Sequence, residues 1–121
     1  MKAVFSVTLV VDEGLMAVSN GQQISETSLG NGKKAVTFAD TIKMSTYLVA
    51  FIVGKLEATE PVDVDGTPLR IVFVPGKRHL ADFALDAGAF SLRFFADYYG
   101  IPYPGDKLDM IALPDFAAGA M

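Results

Sequence analysis

At 121 residues the chain is long enough for one domain with a real core. A net charge of −4 without a basic stripe argues against nucleic-acid binding, and the lack of cysteine excludes disulfides and thiolate metal sites. Hydrophobic residues make up 51% of the sequence, yet no apolar run reaches the ~18 residues of a membrane helix, so the apolar excess implies buried surface.

The first half reads as antiparallel, hairpin-connected strands. Phe5, Val7, Leu9 and Val11 alternate with Ser6, Thr8, Val10 and Asp12, the pattern of a half-buried strand. Leu15 to Ser19 follows as a short strand, and Asn20-Gly21 after it is a hairpin signal. Gln22 to Ser28 is a polar returning strand. Asn31-Gly32 marks a second tight turn, and Ala35 to Ala39 continues the ladder. Thr46 to Gly54, rich in β-branched and aromatic residues, predicts the most apolar strand, continuing to Thr59.

Residues 60–68, with two prolines, a glycine and three acids, predict the boundary between a first part, 1–59, and a second, 69–121. Asp63 and Asp65 match the first positions of a calcium loop. The sixth position is Pro68 instead of glycine, and the twelfth is Val74 instead of glutamate, so an Asp-Gly turn is the better reading.

Leu69 to Val74 predicts a strand and Pro75-Gly76 ends it. A helix follows from about His79 to Tyr99, with an apolar stripe of Leu80, Phe83, Ala84, Ala87, Phe90, Phe94 and Tyr98, and Leu85, Ala89, Leu92, Phe95 and Tyr99 on its remaining faces, so burial on more than one side is expected. Gly88 in its middle implies close packing against another element, and Gly100 is a C-cap. Leu108 to Leu113 reads as a strand apolar on both faces. Together these make a strand-helix-strand unit with parallel strands. The fold class is therefore α+β, mostly antiparallel β followed by that unit. Pro114 ends the last ladder, and the small residues Ala117 to Ala120 let another molecule approach the backbone. This end reads as an interruption within a longer chain.

Catalytic chemistry is sparse. His79 is the single histidine and reads as a surface residue at a helix start. A zinc peptidase centre needs three protein ligands, which this chain does not supply, so no metal site and no catalytic residue are assigned. Asp82 and Asp86, one helical turn apart, read as a solvated helix face.

Four separated stretches resemble the zinc aminopeptidases typified by aminopeptidase N. Ala3 to Leu9 is similar to a strand of that family, Lys43 to Gly54 to its "MSTYLxAF" strand, Tyr98 to Pro104 to its "YxFGxPYPxxKxD" run, and Pro114 to Met121 to the approach to its Gly-Ala-Met-Glu-Asn exopeptidase motif. The resemblance implies a β-sandwich or saddle N-terminal domain followed by the start of a thermolysin-like catalytic domain. It implies a parent protein that uses zinc to remove N-terminal residues from peptides. In it Gly119, Ala120 and Met121 would bind substrate and Ala118 would border the first side-chain pocket. It also implies Glu-Asn after Met121, then a His-Glu-x-x-His helix and a distal Glu. The alternative is a non-catalytic β-rich binding or scaffold module. Apolar surfaces left open by truncation imply self-association, with a domain swap at 60–68. The lack of a signal peptide ahead of Val4 favours a cytoplasmic parent.

Overall fold

The computed structural model describes residues 1–114. They form two compact units, the first made of residues 1–55 with 104–107, the second of 56–103 with the chain from Leu108.

In the first unit, β1 (Thr8–Asp12), β3 (Gln23–Gly30) and β4 (Lys33–Phe38) form an antiparallel sheet in the order β1-β4-β3. The β3–β4 hairpin turns at Asn31 (φ 52°) and Gly32 (φ 74°). Two successive positive φ values suit the right-handed twist of a hairpin, and Asn-Gly adopts them at little cost. Asp12 and Lys33, opposite each other in the β1–β4 register, form an ion pair. A second antiparallel pair joins β2 (Met16–Ser19) to β5 (Phe51–Gly54). Val11, Val36 and Phe38 from the three-stranded sheet meet Ala17 of β2 in one buried cluster, with Val7 and Leu9 packed against it. Strand β3 is exposed along both faces, which explains its polar sequence.

Two expectations for this unit are corrected. Asn20-Gly21 makes no hairpin, since β2 pairs with β5 and not β3, and neither residue has a positive φ. Instead the Asn20 amide donates to Leu48 O (2.8 Å) and accepts from Ala50 N (2.9 Å), closing the end of the β2–β5 pair. Gly21 lies against the backbone of Ala39, where a Cβ would stand 2.2 Å from the carbonyl oxygen. The stretch from Thr46 to Gly54 is not one strand. Ser45 accepts from Tyr47 N (3.3 Å) and caps a 3-10 turn over Thr46–Leu48, and only Phe51–Gly54 joins a ladder. The serine competes for the backbone and defeats the β-propensity of the residues after it.

In the second unit, β8 (Thr67–Phe73) is the central strand. On one side it pairs antiparallel with β6 (Glu57–Ala58) and β7 (Val62–Val64), on the other in parallel with β9 (Leu108–Ile111). Residues 60–68 thus contain β7 and a tight turn, with Asp65 (φ 50°) and Gly66 (φ 91°) at its tip and Gly66 N donating to the Asp63 carboxylate (3.3 Å). Helix α1 (Ala81–Tyr99) crosses between β8 and β9 and is preceded by a 3-10 turn over Arg78–Leu80. Gly100, at φ 69°, ends it in the left-handed conformation.

The helix meets the sheet on one face only, where the sequence predicts burial on more than one side. Ala81 and Gly88 are buried, and Ala84 and Leu85 pack with Ile71, Phe73 and Met110. The larger residues of the apolar stripe face outward: Phe83 is 81% exposed, Phe90 68% and Tyr98 70%. The physical reason is the division of bulk between layers. Leu69, Ile71, Phe73 and Met110 fill the space above the strands, so the helix approaches on its small-residue face. The outer rings cover one another along the helix, Phe90 on Phe94 and Phe94 on Tyr98, each at 6.0 Å.

Candidate functional site

The site is built on the βαβ part of the second unit, because that is where the last described strand leads. Strand β9 runs parallel to β8 in the register Leu69↔Leu108 to Val72↔Ile111, and Ala112 N extends the ladder to Val72 O (2.8 Å). Among the described residues β9 pairs on one side only, with β8, so it lies at a sheet edge. Alternation divides its side chains between two faces. Met110 faces α1 and its Sδ lies against Gly88, where a Cβ would be 2.6 Å away. This close approach is the one that the mid-helix glycine implied.

Asp109 stands beside Arg70 of β8, its partner in the register. The guanidinium donates to both carboxylate oxygens, Nε to Oδ1 at 2.8 Å and Nη2 to Oδ2 at 3.0 Å. The Asp109 side chain is only 5% exposed. A two-point pair of this kind is directional as well as strong. Its signal is present in the sequence but is not a local one. Each strand carries one ionisable residue in an apolar run, and the signs are opposite.

Where the chain leaves β9, an apolar cavity of about 320 Å³ is lined by Ile71, Phe73, Leu80, Ala84, Leu113 and Pro114. Its lining offers no set of groups for acid-base chemistry. Ala118, Gly119, Ala120 and Met121, to which the family resemblance implies a substrate role, lie outside the described residues. His79, Asp82 and Asp86 are all exposed and are not brought together with another ligand set. Among the described residues no group of three or more His, Cys, Asp or Glu could hold a metal ion. The described residues therefore do not fit a zinc centre of the peptidase type, which requires three protein ligands. Among the described residues no helix is long and apolar enough to cross a membrane.

Two family models match the chain. The Peptidase M1 N-terminal domain matches residues 1–48, and the Peptidase family M1 domain matches residues 83–121. The chain is similar along its whole length to proteins named aminopeptidases. It is 45% identical over 120 residues to Aminopeptidase 2 of Candida albicans and 46% over 121 residues to Puromycin-sensitive aminopeptidase of Caenorhabditis elegans, with 99% of this chain covered in each case. It is 40% identical over 121 residues, all of this chain, to Endoplasmic reticulum aminopeptidase 1 of Mus musculus. The chain spans about 13% of the length of each of these three relatives. With both models drawn from one family, in chain order, and identity continuous between them, the chain belongs to the M1 family of peptidases.

Proposed function

We propose that this chain forms part of a zinc-dependent aminopeptidase that removes N-terminal residues from peptides, and that it contributes the approach to the substrate rather than the metal centre. The observation that carries this is identity of 40–46% across the whole chain with three proteins named aminopeptidases, joined to the M1 peptidase match over residues 83–121. The junction between the N-terminal and peptidase domains is proposed within residues 60–68, between the two matched stretches.

In this proposal the segment following β9 lies along the peptide. An extended peptide adds to an exposed strand edge through main-chain hydrogen bonds, and β9 is an edge strand among the described residues. Gly119 and Ala120 offer backbone groups to the substrate, Met121 shapes the site and Ala118 borders the first side-chain pocket. Zinc, which supplies a polarised water in such enzymes, is held by residues outside this chain. Cytoplasmic residence belongs to the same proposal. Because one relative is named for the endoplasmic reticulum, fractionation of the tagged full-length protein is its check.

The test is hydrolysis by the full-length protein of the source gene. Aminoacyl-coumarin substrates should be cleaved, a chelator should abolish cleavage, and N-acetylated versions should be inert. Equal cleavage of blocked and free substrates would overturn the exopeptidase reading. No cleavage of either would leave a non-catalytic β-rich binding module.

A further inference from the structure

We propose that Arg70 and Asp109 are a positioning pair that sets the register of β9 on β8, and so fixes where the chain beyond Pro114 begins. What that placement serves rests on the aminopeptidase reading; the register claim itself does not.

The β8–β9 ladder is short and its apolar pattern is permissive. On β9, Leu108, Met110 and Ala112 alternate with Asp109, Ile111 and Leu113. A slip of one residue is already forbidden, because it would turn Asp109 towards the Ile71, Phe73 and Ala81 cluster and leave a carboxylate among apolar groups. A slip of two residues keeps every side chain on its face. It exchanges Met110 for Leu108 or Ala112 beneath the helix, and the backbone ladder forms equally well. The fit of Met110 against Gly88 and the two hydrogen bonds that Gln22 donates to Asp106 favour the observed register, while the apolar pattern of β9 alone does not separate registers two residues apart. Such a slip moves the end of β9 by about 6.6 Å, at roughly 3.3 Å per residue.

The ion pair distinguishes these registers. In the observed one Arg70 meets Asp109 with two hydrogen bonds. Shifted two residues one way, Arg70 stands opposite Ile111 and loses the carboxylate. Shifted the other way, it stands opposite Lys107, a like charge. With Asp109 only 5% exposed, separation leaves a carboxylate poorly solvated. Polar pairs in apolar interfaces serve elsewhere as register devices. If the backbone beyond β9 lines a peptide, a 6.6 Å displacement, about two residues, would misplace it by a whole side-chain pocket.

The experiment reads register and function separately. In the 121-residue chain, cross-strand nuclear Overhauser contacts between β8 and β9 and the exchange rate of the Ala112 amide report the ladder. Asp109→Ala should give a second set of β9 contacts or at least a tenfold loss of Ala112 protection. Arg70→Asp combined with Asp109→Arg should restore a single register. If Asp109→Ala does not fold, Asp109→Asn, the same shape without charge, is read in the same way. Unchanged contacts and protection in the single variants overturn the proposal. In the full-length enzyme, Asp109→Asn should raise KM for an unblocked peptide about tenfold at unchanged metal content, with the charge-swapped double variant recovering it. A purely stabilising pair would lower the amount of active enzyme and leave KM alone, and that result overturns the positioning role. If the unmodified full-length protein cleaves no peptide, the aminopeptidase reading falls, while the register result stands on its own data.

Discussion

A Cβ placed on Gly88 would sit 2.6 Å from Sδ of Met110 and 3.2 Å from Cδ2 of Leu69. The helix and the two parallel strands are therefore held at a separation set by the absence of one side chain. Alanine is favoured over glycine inside a helix by about 1 kcal/mol. Overpacking a close contact costs about 1–3 kcal/mol. Because the Met110 side chain is flexible and moves aside in part, the two effects partly offset in Gly88→Ala, leaving a net loss between about zero and ~2 kcal/mol. Gly88→Val has no such escape and should lose at least ~2 kcal/mol. Adding Met110→Ala to Gly88→Val should recover part of that loss, a coupling that urea unfolding of the four proteins measures directly.

The two Asn-Gly steps should respond differently to substitution. Gly32, at φ 74°, needs the left-handed region, so Gly32→Ala should cost ~1–2 kcal/mol. Gly21 needs space, because its missing Cβ would lie 2.2 Å from Ala39 O, a backbone atom that cannot swing away. Gly21→Ala should therefore cost more, above ~2 kcal/mol. Asn20→Ala removes two hydrogen bonds at the end of the β2–β5 pair and should cost ~1–3 kcal/mol. A lower unfolding midpoint for Gly21→Ala than for Gly32→Ala supports the structural assignment. A Gly32→Ala more damaging than Gly21→Ala would contradict it.

Those same steps show what was legible in the sequence. Asn-Gly occurs at residues 20–21 and 31–32, and local chemistry alone reads both as hairpins. Only the second is one, because the first is claimed by partners 28 and 30 residues away, Leu48 and Ala50. The strand-helix-strand order, the Gly88 contact and the Gly100 cap were legible because each rests on local pattern or on the size of one residue. The inward face of α1 was not. Both its faces are apolar, so periodicity cannot choose between them, and the bulk of the strands opposite decides. The Arg70–Asp109 pair depends on a register between strands 39 residues apart, which no local window contains. The residues assigned to substrate, Ala118 to Met121, came from resemblance alone.

The outward face of α1 should drive association of the isolated chain. Phe83, Phe90, Phe94, Phe95, Tyr98 and Tyr99 are all exposed on one helix. Aromatic surface of this kind is favourably removed from water by another copy. Sedimentation of the 121-residue chain should show a concentration-dependent dimer or higher oligomer. Phe90→Glu with Phe94→Glu should shift it toward monomer without loss of helical circular dichroism. A clean monomer at high concentration in the unmodified chain would count against this.

The isolated chain should hold no stoichiometric zinc and hydrolyse no aminoacyl substrate. Zinc in a catalytic site takes three protein ligands and keeps a fourth position for water or substrate. The sequence supplies one histidine, His79, and no cysteine, so two of three ligands would have to be carboxylates brought to it. The acids nearest in sequence, Asp82 and Asp86, lie three and seven residues beyond it on an exposed helical stretch. Among the described residues no ligand set is preassembled around His79, so a metal would have to gather its ligands on binding. Elemental analysis after a chelator wash should therefore find far less than one zinc per chain, while the full-length protein, if it is the proposed aminopeptidase, should hold one and cleave. His79→Ala should change neither result in the full-length protein, since this residue lies outside the proposed metal centre. One zinc per chain surviving the wash in the isolated protein, and lost on His79→Ala, would instead make His79 a ligand and overturn the assignment of the metal to residues elsewhere.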